Sequence, residues 1–154
     1  MTPEQMTAVL VAQHQLTEDQ RTALLDHLHT TSDKISLLDL AHEQFGVNEL
    51  DLLDALAKHL QKSTDHVKLS QTPHEPGALT YVPARDAWDY LILPLELESD
   101  GSLLCCTTEE TLPTALAYLM RSLDVPFHMV FADVRPLEQY IAEQYHYEGV
   151  DDAA

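Results

Sequence analysis

Apolar positions in the first sixty residues recur at helical spacing. Thr2, Pro3 and Gln5 place a capping residue, a first-turn proline and a capping-box partner in order, and Met6, Val9 and Leu10 follow three to four residues apart. This predicts a helix over residues 3–13. Thr17 and Gln20 form a second capping box ahead of Leu24, Leu25 and Leu28, so a second helix should end near His29. Leu37, Leu38, Ala41 and Phe45 make a third stripe, closed by Gly46, which can enter the left-handed region without a Cβ clash. A fourth helix begins at Asn48, with Leu52, Leu53, Leu56 and Leu60 on one face and Asp51, Asp54 and Lys58 on the other. The leucine stripe reads as core.

The period changes after a stretch of turn formers, Lys62-Ser63-Thr64-Asp65 and Gln71-Thr72-Pro73-His74-Glu75-Pro76-Gly77. Residues 90–98 read as a strand, Ser99-Asp100-Gly101 as a turn, and residues 102–107 as the returning strand of a hairpin. Pro94 lacks an amide hydrogen and should therefore sit at a bulge or on a sheet edge. Residues 112–123 read as a helix with Pro113 in its first turn, 125–132 as a strand, and 133–145 as a helix with Pro136 in its first turn. The expected fold is α+β. A four-helix lobe over residues 1–62 is joined by a linker with a short strand (63–80) to a small α+β lobe (81–147). That lobe has a three- to four-stranded sheet packed with two helices on one face. Residues 148–154 should form a loose acidic tail.

Charge and composition narrow the function. Lys and Arg number 8 against 26 Asp and Glu, a formal charge of -18, and such a field repels nucleic-acid phosphates and anionic lipid heads. No run of eighteen apolar residues occurs, and Thr2-Pro3-Glu4-Gln5 does not resemble a signal peptide, so a cytoplasmic protein without direct membrane insertion is expected. The two cysteines, Cys105 and Cys106, are adjacent and cannot staple distant segments, which fits a reducing compartment. On a strand they should face opposite sides, one in the core and one exposed.

No motif for catalysis emerges. The four glycines are not spaced as a phosphate-binding loop. Among nine histidines none pairs at three or four residues on a predicted helix, and His27 and His29 point about 200° apart, so no metal site is expected. Glu109-Glu110 and Asp151-Asp152 fall in predicted loop and tail, where carboxylates are simply solvated. No glycine-flanked nucleophile turn supports a serine hydrolase. Neither catalytic residues nor a cofactor are predicted. The acidic outer faces would steer a basic partner. Arg85, Trp88 and Tyr90, placed at the sheet edge and beside the final helix, are the candidate partner-binding residues, since arginine and aromatics dominate binding hot spots.

The second half carries an ordered set of segments: His66-Val67-Lys68-Leu69, Val82-Pro83-Ala84-Arg85, Leu91-Ile92-Leu93-Pro94-Leu95, Asp100-Gly101 and Ser102-Leu103-Leu104-Cys105-Cys106-Thr107. Val125 to Ala132 and Pro136 to Tyr145 complete it. In this order they resemble the N-terminal domain of type II secretion and type IV pilus assembly ATPases. The first half is similar to the helical repeats that precede that lobe, some of which bind cyclic di-GMP through arginine and glycine positions. Here the arginine positions hold Gln5 and Ser36, and the glycine positions hold Thr7, His14, Leu38 and Phe45. A guanidinium stacks and binds phosphate, and glycine permits close backbone approach, so these exchanges remove both functions. Of the cations in that half, Arg21, Lys34, Lys58 and Lys62, two flank helix ends. The ATPase portion with its Walker motifs is not within these residues. The resemblance implies a noncatalytic docking or adaptor module whose partner is a secretion or pilus machine component, with nucleotide sensing through cyclic di-GMP as the alternative.

Overall fold

The computed structural model describes residues 2–30, 36–123 and 125–145. Lys34 and the expected tail over residues 148–154 lie outside the described residues. The first half is four helices: α1 (Pro3–Ala12), α2 (Glu18–Thr30), α3 (Leu37–Phe45) and α4 (Glu49–Ser63). Each starts on a side-chain cap. The Thr2 hydroxyl accepts from the Gln5 amide and the Gln5 side chain accepts from the Thr2 amide, and Thr17 and Gln20 repeat that box. Ser36 caps α3 through the Asp39 amide, and Asn48 caps α4 through the Leu50 amide. Such caps stabilise a helix by about 1 kcal/mol each. Gly46 closes α3 in the left-handed conformation at φ 66°. Leu52, Leu56 and Leu60 are buried, while Asp51, Asp54 and Lys58 are exposed.

The second half is α+β as expected. Two short 3-10 turns, Leu69–Gln71 and Pro76–Tyr81, lead into α5 (Ala84–Tyr90), β1 (Leu93–Leu97), β2 (Leu103–Thr107), α6 (Leu112–Ser122), β3 (Phe127–Phe131) and α7 (Val134–Gln144). The order across the sheet is β1-β2-β3, with β1 and β2 antiparallel and β2 and β3 parallel around the α6 crossover. His66 adds a short fourth rung: the Val67 amide donates to Phe131 and the Phe131 amide to Asp65. The register shifts between Pro94 and Glu96, so the proline sits at a bulge on an edge strand. The Glu75 amide donates to the Leu95 carbonyl, and the 3-10 turn after it packs along β1, which blunts that edge.

The structure corrects two readings. Residues 84–90, with Tyr90 taken as the start of a strand, form a helix, and Leu91 reverses the chain at φ 52° before β1 begins. Cys105 and Cys106 are both fully buried. β2 is the middle strand and its C-terminal half is covered on both faces, so alternation there does not alternate exposure. Burial pushes the Cys106 thiol up to about 12 and Cys105 higher still, which leaves neither as a thiolate nucleophile at neutral pH.

Buried side chains from both halves form one continuous cluster. α6 is the joining element, packing against α3 and α4 as well as α5. At its end Arg121 donates to Asp39 of α3 at 2.9 Å and also meets Glu49 at the start of α4. No helix among the described residues is long and apolar enough to cross a membrane.

Candidate functional site

The three candidate partner-binding residues lie together on α5 rather than on a sheet edge. Pro83, with its fixed φ, precedes the helix, and Ala87 is the one fully buried residue that anchors it. Arg85 and Trp88 are three residues apart and share a face with Asp89. Arg85 is exposed and has no ion-pair or hydrogen-bond partner among the described residues. Trp88 is half-buried, and its indole nitrogen is buried with no acceptor. Tyr90 turns to the other side, where its ring stacks on Tyr118 of α6 at 4.6 Å. The Tyr118 hydroxyl donates to Asp86 at 2.7 Å. Desolvation first, and then the Asp86 carboxylate, raise the Tyr118 phenol above its ordinary range, so it remains a donor. Tyr90 and Asp86 thus hold α5 to α6, whereas Arg85 stays exposed to solvent.

In the helical half, the positions where the resemblance expects ligand-contacting arginine and glycine hold, except at the exposed His14, side chains engaged in the fold. Gln5 and Ser36 are cap residues. Thr7 is buried, donates to the Pro3 carbonyl at 2.8 Å and accepts from Arg21 Nε at 3.1 Å, while Arg21 also reaches the Glu4 carbonyl. Arg21 therefore ties α2 to α1. Leu38 is buried and Phe45 packs partly against the core. His14 retains the backbone demand of a glycine, with φ 61°. Lys58 pairs with Asp54 on its own helix. His29 meets Glu4 of α1 and His27 meets Gln44 of α3, in keeping with their opposed directions. Among the described residues, no group of three or more His, Cys, Asp or Glu is gathered as for a metal ion.

An open cleft of about 630 Å³ lies where the parallel strands β2 and β3 end. Residues 108–111 after β2 and 132–136 after β3 line it, together with His66 and Leu91. Its rim is mixed in charge: Glu109, Glu110 and Asp133 on one hand and Arg135 on the other, with His66 3.0 Å from Glu109. The threonine hydroxyls are bound to one another. Thr107 donates to the Leu91 carbonyl at 2.8 Å and lies 3.0 Å from Thr111, which lies 2.7 Å from Thr108. Among the described residues, these hydroxyls bond to one another and to backbone carbonyls rather than to a histidine or carboxylate. The sequence reading passed over this cleft. The usable signal was that both predicted strands, 102–107 and 125–132, lead directly into a predicted helix.

No protein-family model matches the chain, and no curated protein matches it. Among solved structures, it is similar to the structure of MshE with cdg at 23% identity, over 91% of this chain and 98% of that one, with a TM-score of 0.49. It is also similar to the N-terminal domain of XpsE at 17% identity, over 94% and 96%, with a TM-score of 0.45. No residue role follows from these likenesses.

Proposed function

We propose that this protein is a noncatalytic, cytoplasmic docking module related to the N-terminal domain of secretion and pilus assembly ATPases. Its partner is a protein component of such a machine, and α5 presents Arg85 and Trp88 to it with Tyr90 as support. One observation carries the reading: the positions that would hold cyclic di-GMP in related repeats are occupied by helix caps and a packed threonine. The helical pairs have become a scaffold. The unpaired, exposed Arg85 beside half-buried Trp88 supports α5 as the contact surface.

Titration calorimetry with cyclic di-GMP, with ATP and GTP as controls, separates this reading from the sensor alternative. Silence at high ligand concentration is expected; a dissociation constant at or below about 1 μM, roughly -8 kcal/mol, would replace docking with sensing. The purified inner-membrane platform components of secretion and pilus machines are then offered singly to wild type and Arg85→Glu. Binding by one of them, weakened by the substitution, is the expected result, and failure of every component to bind would sink the docking reading.

A further inference from the structure

The two helical pairs begin their second helices alike except at one place. After its cap, α2 runs Glu18-Asp19, while α4 runs Glu49-Leu50. An exposed carboxylate at Asp19 suits the first turn, where free amides favour negative charge. Leu50, in the same position, is 72% exposed, more than any other large apolar side chain described. It neither packs into the core nor complements the helix dipole. Val47, partly buried against the core, lies just before it.

Carboxylates flank Leu50 along its own helix and recur on α3. Glu49, Asp51 and Asp54 belong to α4, and Asp39 and Glu43 to α3. Asp39, Glu43 and Glu49 also line, with Leu38, His42 and Asn48, an open notch of about 510 Å³. A cation already sits at its edge: Arg121 contacts both Asp39 and Glu49, and its donation together with that of Ser36 holds the Asp39 carboxyl below its usual range. Arg121 thus takes the Asp39 and Glu49 side of the notch, and Glu43 is left without an ion-pair partner among the described residues. Further along α4, Lys58 pairs with Asp54 at 3.0 Å.

We propose that the tip formed by the α3–α4 turn docks a basic amphipathic helix of a partner protein, seated on Leu50 and Val47 with its lysines or arginines against Glu43 and Asp51. This rests on the docking reading and names a second surface and the partner's chemistry. Charge complementarity decides the occupant: a chain of net charge -18 attracts cationic segments everywhere, and the apolar anchor selects where one settles.

The probe is a short amphipathic helical peptide of leucine and lysine, titrated into wild type, Leu50→Asn and Asp19→Asn, with backbone amide shifts followed by NMR. Leu50→Asn keeps the charge and, since Leu50 is 72% exposed, should keep the melting temperature; it should weaken binding about tenfold or more, as loss of a binding hot spot does. Asp19→Asn should bind within about twofold of wild type, and the shifts should centre on residues 38–54. Equal binding by wild type and Leu50→Asn, shifts centred elsewhere, or no peptide binding would each overturn the proposal. If the peptide ignores Leu50 while Arg85→Glu still weakens a platform component, docking stands and this surface falls. If neither peptide nor any platform component binds, both readings fall.

Discussion

The helical half starts its elements with local chemistry, whereas the sheet half starts them with distant contacts. Thr2, Thr17, Ser36 and Asn48 each cap a helix within three residues of themselves. In the second half, Pro83, Thr111 and Asp133 precede α5, α6 and α7, and none makes a side-chain cap bond. Apart from the Thr108 hydroxyl, which accepts from the Thr111 amide ahead of α6, the side-chain bonds that hold those elements are long-range. The Tyr145 hydroxyl donates to the Val82 carbonyl, Tyr118 to Asp86, and Thr107 to Leu91. A helical pair whose ends are locally satisfied can change its surface freely, as the positions of Gln5, Ser36 and Leu50 illustrate. A sheet whose elements are tied across the chain has less freedom.

The most severe test of this contrast is Phe131→Ala. The Phe131 side chain on β3 is fully buried, so its truncation should open a core cavity and cost about 3–5 kcal/mol in denaturant unfolding, with the backbone bonds to Asp65 and Val67 left in place. The buried cluster is continuous, so Trp88 fluorescence and far-ultraviolet circular dichroism should report one coincident transition. Two separate transitions would show that the halves are energetically independent.

Caps give the next largest effect. Thr17→Ala should destabilise by about 1 kcal/mol, whereas Asp133→Ala should change stability by less than about 0.5 kcal/mol, because its side chain makes no cap bond. Equal losses would erase the difference between the halves. His14→Gly should stabilise by up to about 1 kcal/mol by relieving the left-handed backbone at φ 61°, read as a rise in melting temperature.

The smallest effect is a pH dependence at the junction of the halves. The Arg121 guanidinium and the Ser36 hydroxyl lower the Asp39 pKa, so Asp39 contributes stability at pH values above its unfolded pKa of about 3.9. That contribution is lost as pH falls through the lowered, folded value. The groups are largely exposed, so Arg121→Met should cost under about 1 kcal/mol at pH 7. The difference from wild type should shrink once Asp39 is protonated.

Elements with a strong period or a local cap were legible in the sequence. The leucine stripe of α4, the Gly46 closure, the hairpin turn and the Pro94 bulge all follow from residue chemistry within a few positions. α5 was not legible as a helix, since it is seven residues long and buries only Ala87, and Leu91 reverses the chain without a glycine to announce it. The candidate residues Arg85, Trp88 and Tyr90 were named from their chemistry. That Tyr90 faces Tyr118 while Arg85 faces solvent required the packing of α5 on α6.

By itself the sequence determined the helical half, the α+β class and the acidic character, because caps, periodicity and charge act over one or two turns of chain. Tertiary structure alone decided that both cysteines are buried, that Arg121 joins α6 to α3 and α4, that Leu50 stands out among carboxylates, and that a cleft opens where β2 and β3 end. Each of these depends on which distant segments meet. Burial and ion pairing are properties of that meeting, and no local pattern encodes it.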